Sequence, residues 1–269
     1  MTGTDTIFAG SIPQLYDRHL GELLFQPYAA DIVRRLLGVS AGRVLETAAG
    51  TGIVTQALTA ALPEAVEIVA TDLNQPMLDH ASMKPGVARV RFQQADALAL
   101  PFPDHAFDAV VCQFGIMFFP DRIAGMREAR RVLRPGGRFL FNVWDSLEDN
   151  PVAAIAIDTL SARYPAHPSW FLERTPHGYR DPDRIRADLG LAGFTQATVK
   201  TVRAMGRAKD AHDPAIGFCQ GSPMRAEIET LEPGGLAVAT EAVAEAVAAR
   251  FGNGPFSVPL QALVVEAVA

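Results

Sequence analysis

Cysteine is scarce in this chain of 269 residues: Cys112 and Cys219 are the only two. The pair makes no disulfide framework and has no metal-ligand spacing, so both read as buried thiols and no metal site is expected. Long apolar runs are missing as well, and nothing approaches the roughly 20 residues of a membrane-spanning helix. The amino terminus, MTGTDTIFAGSIPQLYDRHL, lacks a basic region followed by an apolar core, so a signal peptide is not expected and a cytoplasmic location is. Positive charge is in deficit, with 24 Lys and Arg against 30 Asp and Glu and a net charge of −6. That balance argues against a phosphate-backbone partner, so no nucleic acid and no membrane insertion are expected. Arg127, Arg130, Arg131 and Arg134 do share a helical face, which reads as a solvated face in an acidic chain. Internal repeats, low-complexity tracts and interdomain linkers are also absent from the pattern. One domain spanning 1–269 is the expectation.

What is present has ordinary globular composition, 49% hydrophobic and 20% charged. Between Arg43 and Trp144, short runs rich in β-branched and aromatic residues read as strands: RVLET, AVEIVAT, RVRFQQ, FDAVVCQF and GRFLFNVW. Helical spacing separates them. Ile53, Val54, Ala57, Leu58, Ala61 and Leu62 recur on one face before Pro63. Met126, Ala129 and Leu133 mark a second helix, expected to close at RPGG with Gly136 or Gly137 as its left-handed cap. Alternation of this kind predicts an α/β fold, a doubly wound and mostly parallel sheet with helices on both faces. Residues 41–145 are the expected cofactor-binding core. Residues 1–40 form a helical cover in which Ile32, Val33, Leu36 and Leu37 share a face. A substrate-side segment with a sixth strand follows over 146–204, then a helical insertion over 205–254, whose stripe is Leu236, Val243, Val247 and Phe251. Residues 255–269 read as a terminal buried strand, although periodicity alone leaves a helix open.

The stretch RVLETAAGTGIVTQAL puts a carboxylate and two glycines where the first strand turns into a helix. In a doubly wound sheet, ligands lie beyond the carboxyl ends of the strands. Here too the absences decide. No lysine follows the glycines, so this is no P-loop, and Ala48 and Thr55 break the dinucleotide spacing GxGxxG. Glu46 beside a pyrophosphate would repel it, whereas beside an ammonium or sulfonium it is favourable. A nucleoside with a cationic tail therefore fits better than a dinucleotide. Asp72 ends the second strand run, where an acid can accept from both hydroxyls of a ribose, and Asp96 ends the third, where it can accept from an adenine amine. Either acid can also cap the segment that follows it. Gln113 and Phe114 end the fourth.

The series VLETAAGTG, VATDLNQPML, FQQADALALPFPDHAFDAVVCQFGIMFFPD and EARRVLRPGGRFLFNVWD closely resembles class I S-adenosylmethionine-dependent methyltransferases. The likeness is to their small-molecule (type 11) branch, which includes the ubiquinone/menaquinone-biosynthesis C-methyltransferases. It covers about residues 43–145, with weaker echoes in GSIPQLYDRHL and LGLAGFTQATV. The resemblance implies a Rossmann-like seven-stranded sheet and S-adenosyl-L-methionine as cofactor. It further implies that Glu46, Ala48, Gly50 and Gly52 form the loop around the methionine part and that Asp72 holds the ribose. Leu73, Asn74 and Met77 would wall the adenine, Asp96 and Ala97 would read its edge, and Gln113 would line the site near the sulfonium. One departure stands out: glycine is usual where this chain has Ala48.

Methyl transfer from a sulfonium is an in-line displacement, so alignment and exclusion of water are the main tasks and a base is needed only for a protonated nucleophile. Candidates are Tyr16 and His19 in QLYDRHL, Tyr28, Trp144, Asp145, and Trp170, Phe171, His177 and Tyr179 in PSWFLERTPHGYRD. Tyr16 and His177 are the expected catalytic pair, His177 as the base because its ordinary pKa lies near working pH. No proline-rich tetrapeptide follows the fourth strand, where CQFGIMFFPD is apolar instead. The expected reaction is methyl transfer to an oxygen, carbon or nitrogen of a small apolar or aromatic acceptor. Two alternatives remain open at this point, a NAD(P)-dependent oxidoreductase and a non-catalytic cofactor-binding partner subunit. The sequence also leaves open whether two copies pair as a homodimer.

Overall fold

The computed structural model describes residues 10–269. The first nine residues, which include much of the stretch read for a leader, lie outside the described residues. Five strands run parallel through the first half: β1 (Gly42–Glu46), β2 (Val66–Asp72), β3 (Arg91–Gln94), β4 (Phe107–Gln113) and β5 (Leu133–Trp144). Two long strands follow, β6 (Gln196–Ala208) and β7 (Phe256–Val268), and the sheet order is β3-β2-β1-β4-β5-β7-β6. β7 pairs antiparallel with both β5 and β6, so it alone runs against the others. The terminal run PLQALVVEAVA is thus a strand, and the ambiguity between strand and helix resolves through its two neighbours.

Strand order reverses between β1 and β4, the place where a crevice opens in such sheets. The helices that cover the sheet explain why the inner strands are nearly all apolar. Ile32 and Leu36 of α2 (Gln26–Leu36) and Leu58 of α3 (Ile53–Ala61) pack on Val44, Ile68 and Val111. On the opposite face, Met126 and Ala129 of α5 (Arg122–Val132) join Leu45, Val69, Val110 and Phe139. Alternate residues of one strand, Val44 and Leu45, therefore serve two separate cores. Leu37 departs from the expected stripe: α2 ends at Leu36, and Leu37 is 59% exposed. α5 likewise ends at Val132, earlier than expected, because Leu133 already pairs with Phe107 of β4. Gly136 takes the left-handed conformation expected near RPGG, at φ +78°, but within the opening of β5 and not as a helix cap. On the arginine face Arg131 binds Glu128 and Asp104 and Arg134 binds Asp108, while Arg127 and Arg130 are exposed.

The cover begins with α1 (Ile12–Leu20), which runs through a π-helical turn, Gly21–Phe25, into α2. Such turns cluster at functional sites because they re-aim the side chains that follow. β6 continues past residue 204 to Ala208, so the insertion starts later than expected, with α9 (His212–Cys219), α10 (Met224–Leu231) and α11 (Leu236–Phe251). Between β5 and β6 lie α6 (Pro151–Arg163), α7 (Phe171–Arg174) and α8 (Pro182–Leu191), while α4 (Gln75–Ser82) follows β2. No helix among the described residues is long and apolar enough to cross a membrane.

Candidate active site

At the carboxyl ends of β1 to β4 lies a cavity of about 400 Å³. That is a volume for a nucleoside-sized ligand. Ala48, Gly50, Asp72, Leu73, Asn74, Met77, Asp96, Ala97 and Gln113 all border it. Two residues of the expected cofactor loop do not. Glu46 is 2% exposed and sits behind the turn, where its Oε2 accepts from the Thr55 hydroxyl at 2.6 Å. Burial lifts its carboxyl to about 8, and the Asp72 charge adds to the lift while the Thr55 hydrogen bond opposes it. Burial thus favours the uncharged form of Glu46, and its bond to Thr55 buttresses the turn. Gly52 is needed for packing: at φ +80°, a Cβ there would meet the Cβ of Ala81 in α4 at 2.8 Å. Gly50 is the opposite case. It lies at φ +56°, and a Cβ at this position would meet nothing within 4 Å, so the space beside it belongs to the cavity.

Ala48 shares this left-handed backbone, with φ +52°. An alanine in that region carries a cost of about 1–2 kcal/mol that glycine avoids. Ala48→Gly is accordingly expected to raise stability by about 1 kcal/mol, or roughly 2–4 °C in melting temperature. A thermal melt of the variant beside the wild type checks it, and an unchanged or lowered midpoint would mean that packing of the methyl group outweighs the strain.

Asp72 organises the floor. One carboxylate oxygen accepts from the Gly50 N–H at 2.8 Å and the other from the Asn74 N–H at 2.8 Å, joining the loops after β1 and β2. Burial raises this carboxyl, and those backbone donors oppose the rise. The Asn74 side-chain amide reaches the same oxygen as its own N–H, Oδ1, more distantly, at 3.5 Å. A carboxylate has about four acceptor positions, so capacity is left on Oδ2 for a ligand hydroxyl. Asp96 is exposed, and its Oδ1 accepts from the Leu98 N–H at 2.9 Å in a local turn. Gln113 donates from Nε2 to the Phe25 carbonyl at 3.1 Å, while its Oε1 is buried without a partner among the described residues. An unpaired buried acceptor on the wall suits a cationic neighbour.

A second, apolar chamber adjoins this cavity, and Tyr16, Phe114 and Phe118 border both. Its other walls include Leu24 and Phe25 of the π turn, Trp144 at the end of β5, Phe171, His177 and, from the insertion, Phe218. The insertion thus completes a wall of the site. Phe114 stacks on Trp144 with ring centroids 3.9 Å apart, and its backbone is held at φ +50°, an outlier for a bulky side chain. The Asn142 side chain pins that conformation by accepting from the Phe114 N–H at 2.8 Å. Strain of this sort persists where the surroundings fix a side chain for use. His177 gives its Nδ1 to the Asp145 carbonyl at 2.7 Å, and burial lowers its pKa to about 4. The Tyr16 hydroxyl is pushed above its ordinary range by burial and by the Asp72 and Asp17 charges, so it remains a phenol.

The remaining sequence candidates fall elsewhere. Tyr28 is fully buried and bonds the Val202 carbonyl, His19 pairs with Asp213, and Tyr179 bonds Asp188 beneath Arg122. Trp170 packs beside Tyr164 and His167. Sequence reasoning missed Phe118, Phe119 and Leu98 as cavity walls. The aromatic run GIMFF directly after β4 was the available signal.

α1 closes over the cavity by a latch that the sequence also hid. Asp17 accepts from the Thr51 hydroxyl at 2.9 Å, from the Lys84 Nζ at 2.7 Å, and faces His80 Nε2 at 3.3 Å. The cofactor-side turn, α4 and the cover meet at this one carboxylate. Asp17→Ala leaves Lys84 half-stranded and is expected to cost about 1–3 kcal/mol of cover closure. The dissociation rate of a cavity ligand such as S-adenosylhomocysteine should rise about tenfold in stopped-flow displacement. A rate equal to that of the wild type would mean that the cover does not gate the cavity.

A carboxylate floor, a glycine-lined turn and a mostly parallel sheet carrying the cavity at its switch point are the features of a Rossmann-like methyltransferase fold. The Methyltransferase domain family matches residues 45–141. The demethylmenaquinone methyltransferase of Thermus thermophilus is 47% identical over 166 residues, covering 57% of this chain and 74% of that protein. The demethylmenaquinone methyltransferase of Deinococcus radiodurans is 46% identical over 106 residues, covering 39% of this chain; the chain spans only 44% of that relative's length. Among solved structures, the Haemonchus contortus phosphoethanolamine N-methyltransferase 2 in complex with S-adenosyl-L-methionine superposes with a TM-score of 0.58 at 16% identity, covering 95% of this chain and 56% of that one. The chain belongs to the class I S-adenosylmethionine-dependent methyltransferase family.

Proposed function

We propose that the 400 Å³ cavity binds S-adenosyl-L-methionine and that the aromatic chamber beside it binds the methyl acceptor. The observation that carries this reading is the shared wall: Tyr16, Phe114 and Phe118 border both spaces and form the aperture between them. Asp72 takes the ribose hydroxyls, Asp96 and Ala97 the adenine edge, and Leu73, Asn74 and Met77 flank the base. Ala48 and Gly50 leave room for the methionine part, with the Gln113 carbonyl oxygen toward the sulfonium. The bound cofactor supplies an activated methyl group. The protein's share is to line up the acceptor at the aperture and to keep water out. Tyr16 orients the acceptor as a hydrogen-bonding phenol, because a hydroxyl raised above its ordinary range is no base at neutral pH.

The chamber favours a compact, flat, apolar acceptor. Its free space is about 50 Å³, below the roughly 150 Å³ of a cavity that takes benzene, so a ring enters as an aromatic wall shifts. Relatives named for demethylmenaquinone support a quinol-like ring as the acceptor class. A net-acidic chain supports neither nucleic acid nor a lipid surface as partner, and a cytoplasmic location belongs to the same reading. Neither a nicotinamide oxidoreductase nor a non-catalytic subunit gains support from the two adjoining spaces.

Isothermal titration with S-adenosylhomocysteine, with NADH as control, tests the cofactor half. Micromolar binding of the first and none of the second is expected. Binding of NADH alone would overturn the reading.

A further inference from the structure

We propose that His177 is the specificity-determining residue of the acceptor chamber, where its Nε2 accepts a hydrogen bond from the hydroxyl of an uncharged ring and so selects it over an ether, a carboxylate or an amine. The inference rests on the reading of the chamber as the acceptor site.

The tautomer follows from the partner. A backbone carbonyl only accepts, so the Nδ1 that lies 2.7 Å from the Asp145 carbonyl carries the proton. Nε2 is then a lone pair, and no described residue hydrogen-bonds it. The ring borders the chamber and is 6% exposed. The Asn150 and Ser222 side chains on these walls are already committed. The Asn150 amide donates to the Ser146 and Gln261 carbonyls and accepts from the Gln261 N–H. The Ser222 hydroxyl donates to the Phe218 carbonyl and accepts from the Met224 N–H. Tyr16 at the aperture aside, the described side chains on these walls leave a ligand one acceptor, Nε2 of His177, beside the donor-only indole N–H of Trp144.

Charge selects in the same direction. No ionised side chain borders the chamber among the described residues, and the depressed basicity of His177 keeps it neutral. A carboxylate there would be buried with an acceptor in front of it and no cation, which is costly. A protonated amine would lie close to a sulfonium. The aromatic walls would favour such a cation, which makes the amine the informative rival. An ether brings a second acceptor to face the first, leaving two lone pairs unpaired.

Position separates this role from that of a base. His177 borders the chamber and not the cofactor cavity. Trp144 is the shared neighbour: Phe114 of the aperture stacks on it at 3.9 Å, and the His177 ring centroid lies 6.2 Å away. A ring seated with its hydroxyl on His177 therefore turns another edge to the aperture. His177 holds the acceptor, and the reacting atom is a different one.

The test is titration of the S-adenosylhomocysteine-loaded protein with four ligands of one skeleton: 4-methylphenol, 4-methylanisole, 4-methylbenzoate and 4-methylbenzylamine. The phenol is expected to bind at least tenfold more tightly than the other three. His177→Phe should erase that preference, and His177→Gln, which restores an acceptor, should recover part of it; circular dichroism and the affinity for S-adenosylhomocysteine verify that both variants are folded. Equal binding of the anisole or tighter binding of the amine would overturn the proposal, as would a preference unchanged in His177→Phe. So would absence of any phenol binding to the loaded protein. Failure of S-adenosylhomocysteine itself to bind the wild type would instead sink the cofactor reading beneath it.

Discussion

Asp72→Ala is expected to weaken S-adenosylhomocysteine binding about a hundredfold. Two kinds of interaction disappear together. The carboxylate gives up the acceptor positions proposed for the ribose, and hydrogen bonds to a charged group are worth about 1.5–3 kcal/mol each. It also releases the Gly50 and Asn74 N–H groups, both held at 2.8 Å, so the loops after β1 and β2 lose their common tie. A combined loss of about 3 kcal/mol corresponds to roughly a hundredfold in affinity. Asp72→Asn separates the two effects, because an amide keeps one acceptor oxygen but offers donors to the second backbone N–H. An intermediate loss is expected there. Titration calorimetry of the three proteins reads the effect, with melting curves as the control for folding. A change below threefold in the alanine variant would mean that the nucleoside lies elsewhere.

The parts legible in the sequence are those whose chemistry is local. Residues at strand ends are found by following apolar runs to their carboxyl termini, and this brings Asp72, Asp96 and Gln113 to one cavity from three separate strands. Glu46 shows the limit of the method. Its distance along the chain from Gly50 is short, but the strand direction at Glu46 sends its side chain to Thr55 in α3 and away from the cavity. Gly52 misleads for a related reason. A glycine in a ligand-binding turn and a glycine demanded by a neighbouring helix look alike until Ala81 is known to lie against it.

The acceptor chamber was illegible as a unit. Its walls come from α1, the π turn, the end of β5, α7 and α9, segments separated by tens to hundreds of residues. Apolar side chains carry no spacing signal that distinguishes a chamber wall from ordinary core. Tyr16, Trp144, Phe171 and His177 stand out one by one as polar or aromatic candidates in their segments, and Phe114 does so because it follows the last residue of β4. Even there, only the backbone at φ +50° and the stacked Trp144 reveal that it is held in place as the partition between two spaces.

Glu46 carries the second large expectation, a stability that falls as pH rises. In the unfolded chain its carboxyl titrates at the ordinary value of 4.5, whereas burial in the folded protein lifts it to about 8. Between those values the folded protein holds a proton that the unfolded chain has released. The contribution is therefore fully present below 4.5 and is lost as pH climbs through about 8, at about 1.4 kcal/mol for each pH unit in the middle of the window. Asp72, also raised by burial, pulls in the same direction and is common to both proteins in the comparison. Glu46→Gln keeps the shape and the Thr55 contact but cannot ionise. Urea unfolding at pH 5, 6, 7 and 8 should show the wild type losing stability steeply and the glutamine variant much less, so that the variant is the more stable of the two at pH 8. Parallel curves would mean that Glu46 is ionised in the folded protein. It would then act as a counter-charge to the ligand's cationic tail, the role that its place in the sequence suggests and its buried position opposes.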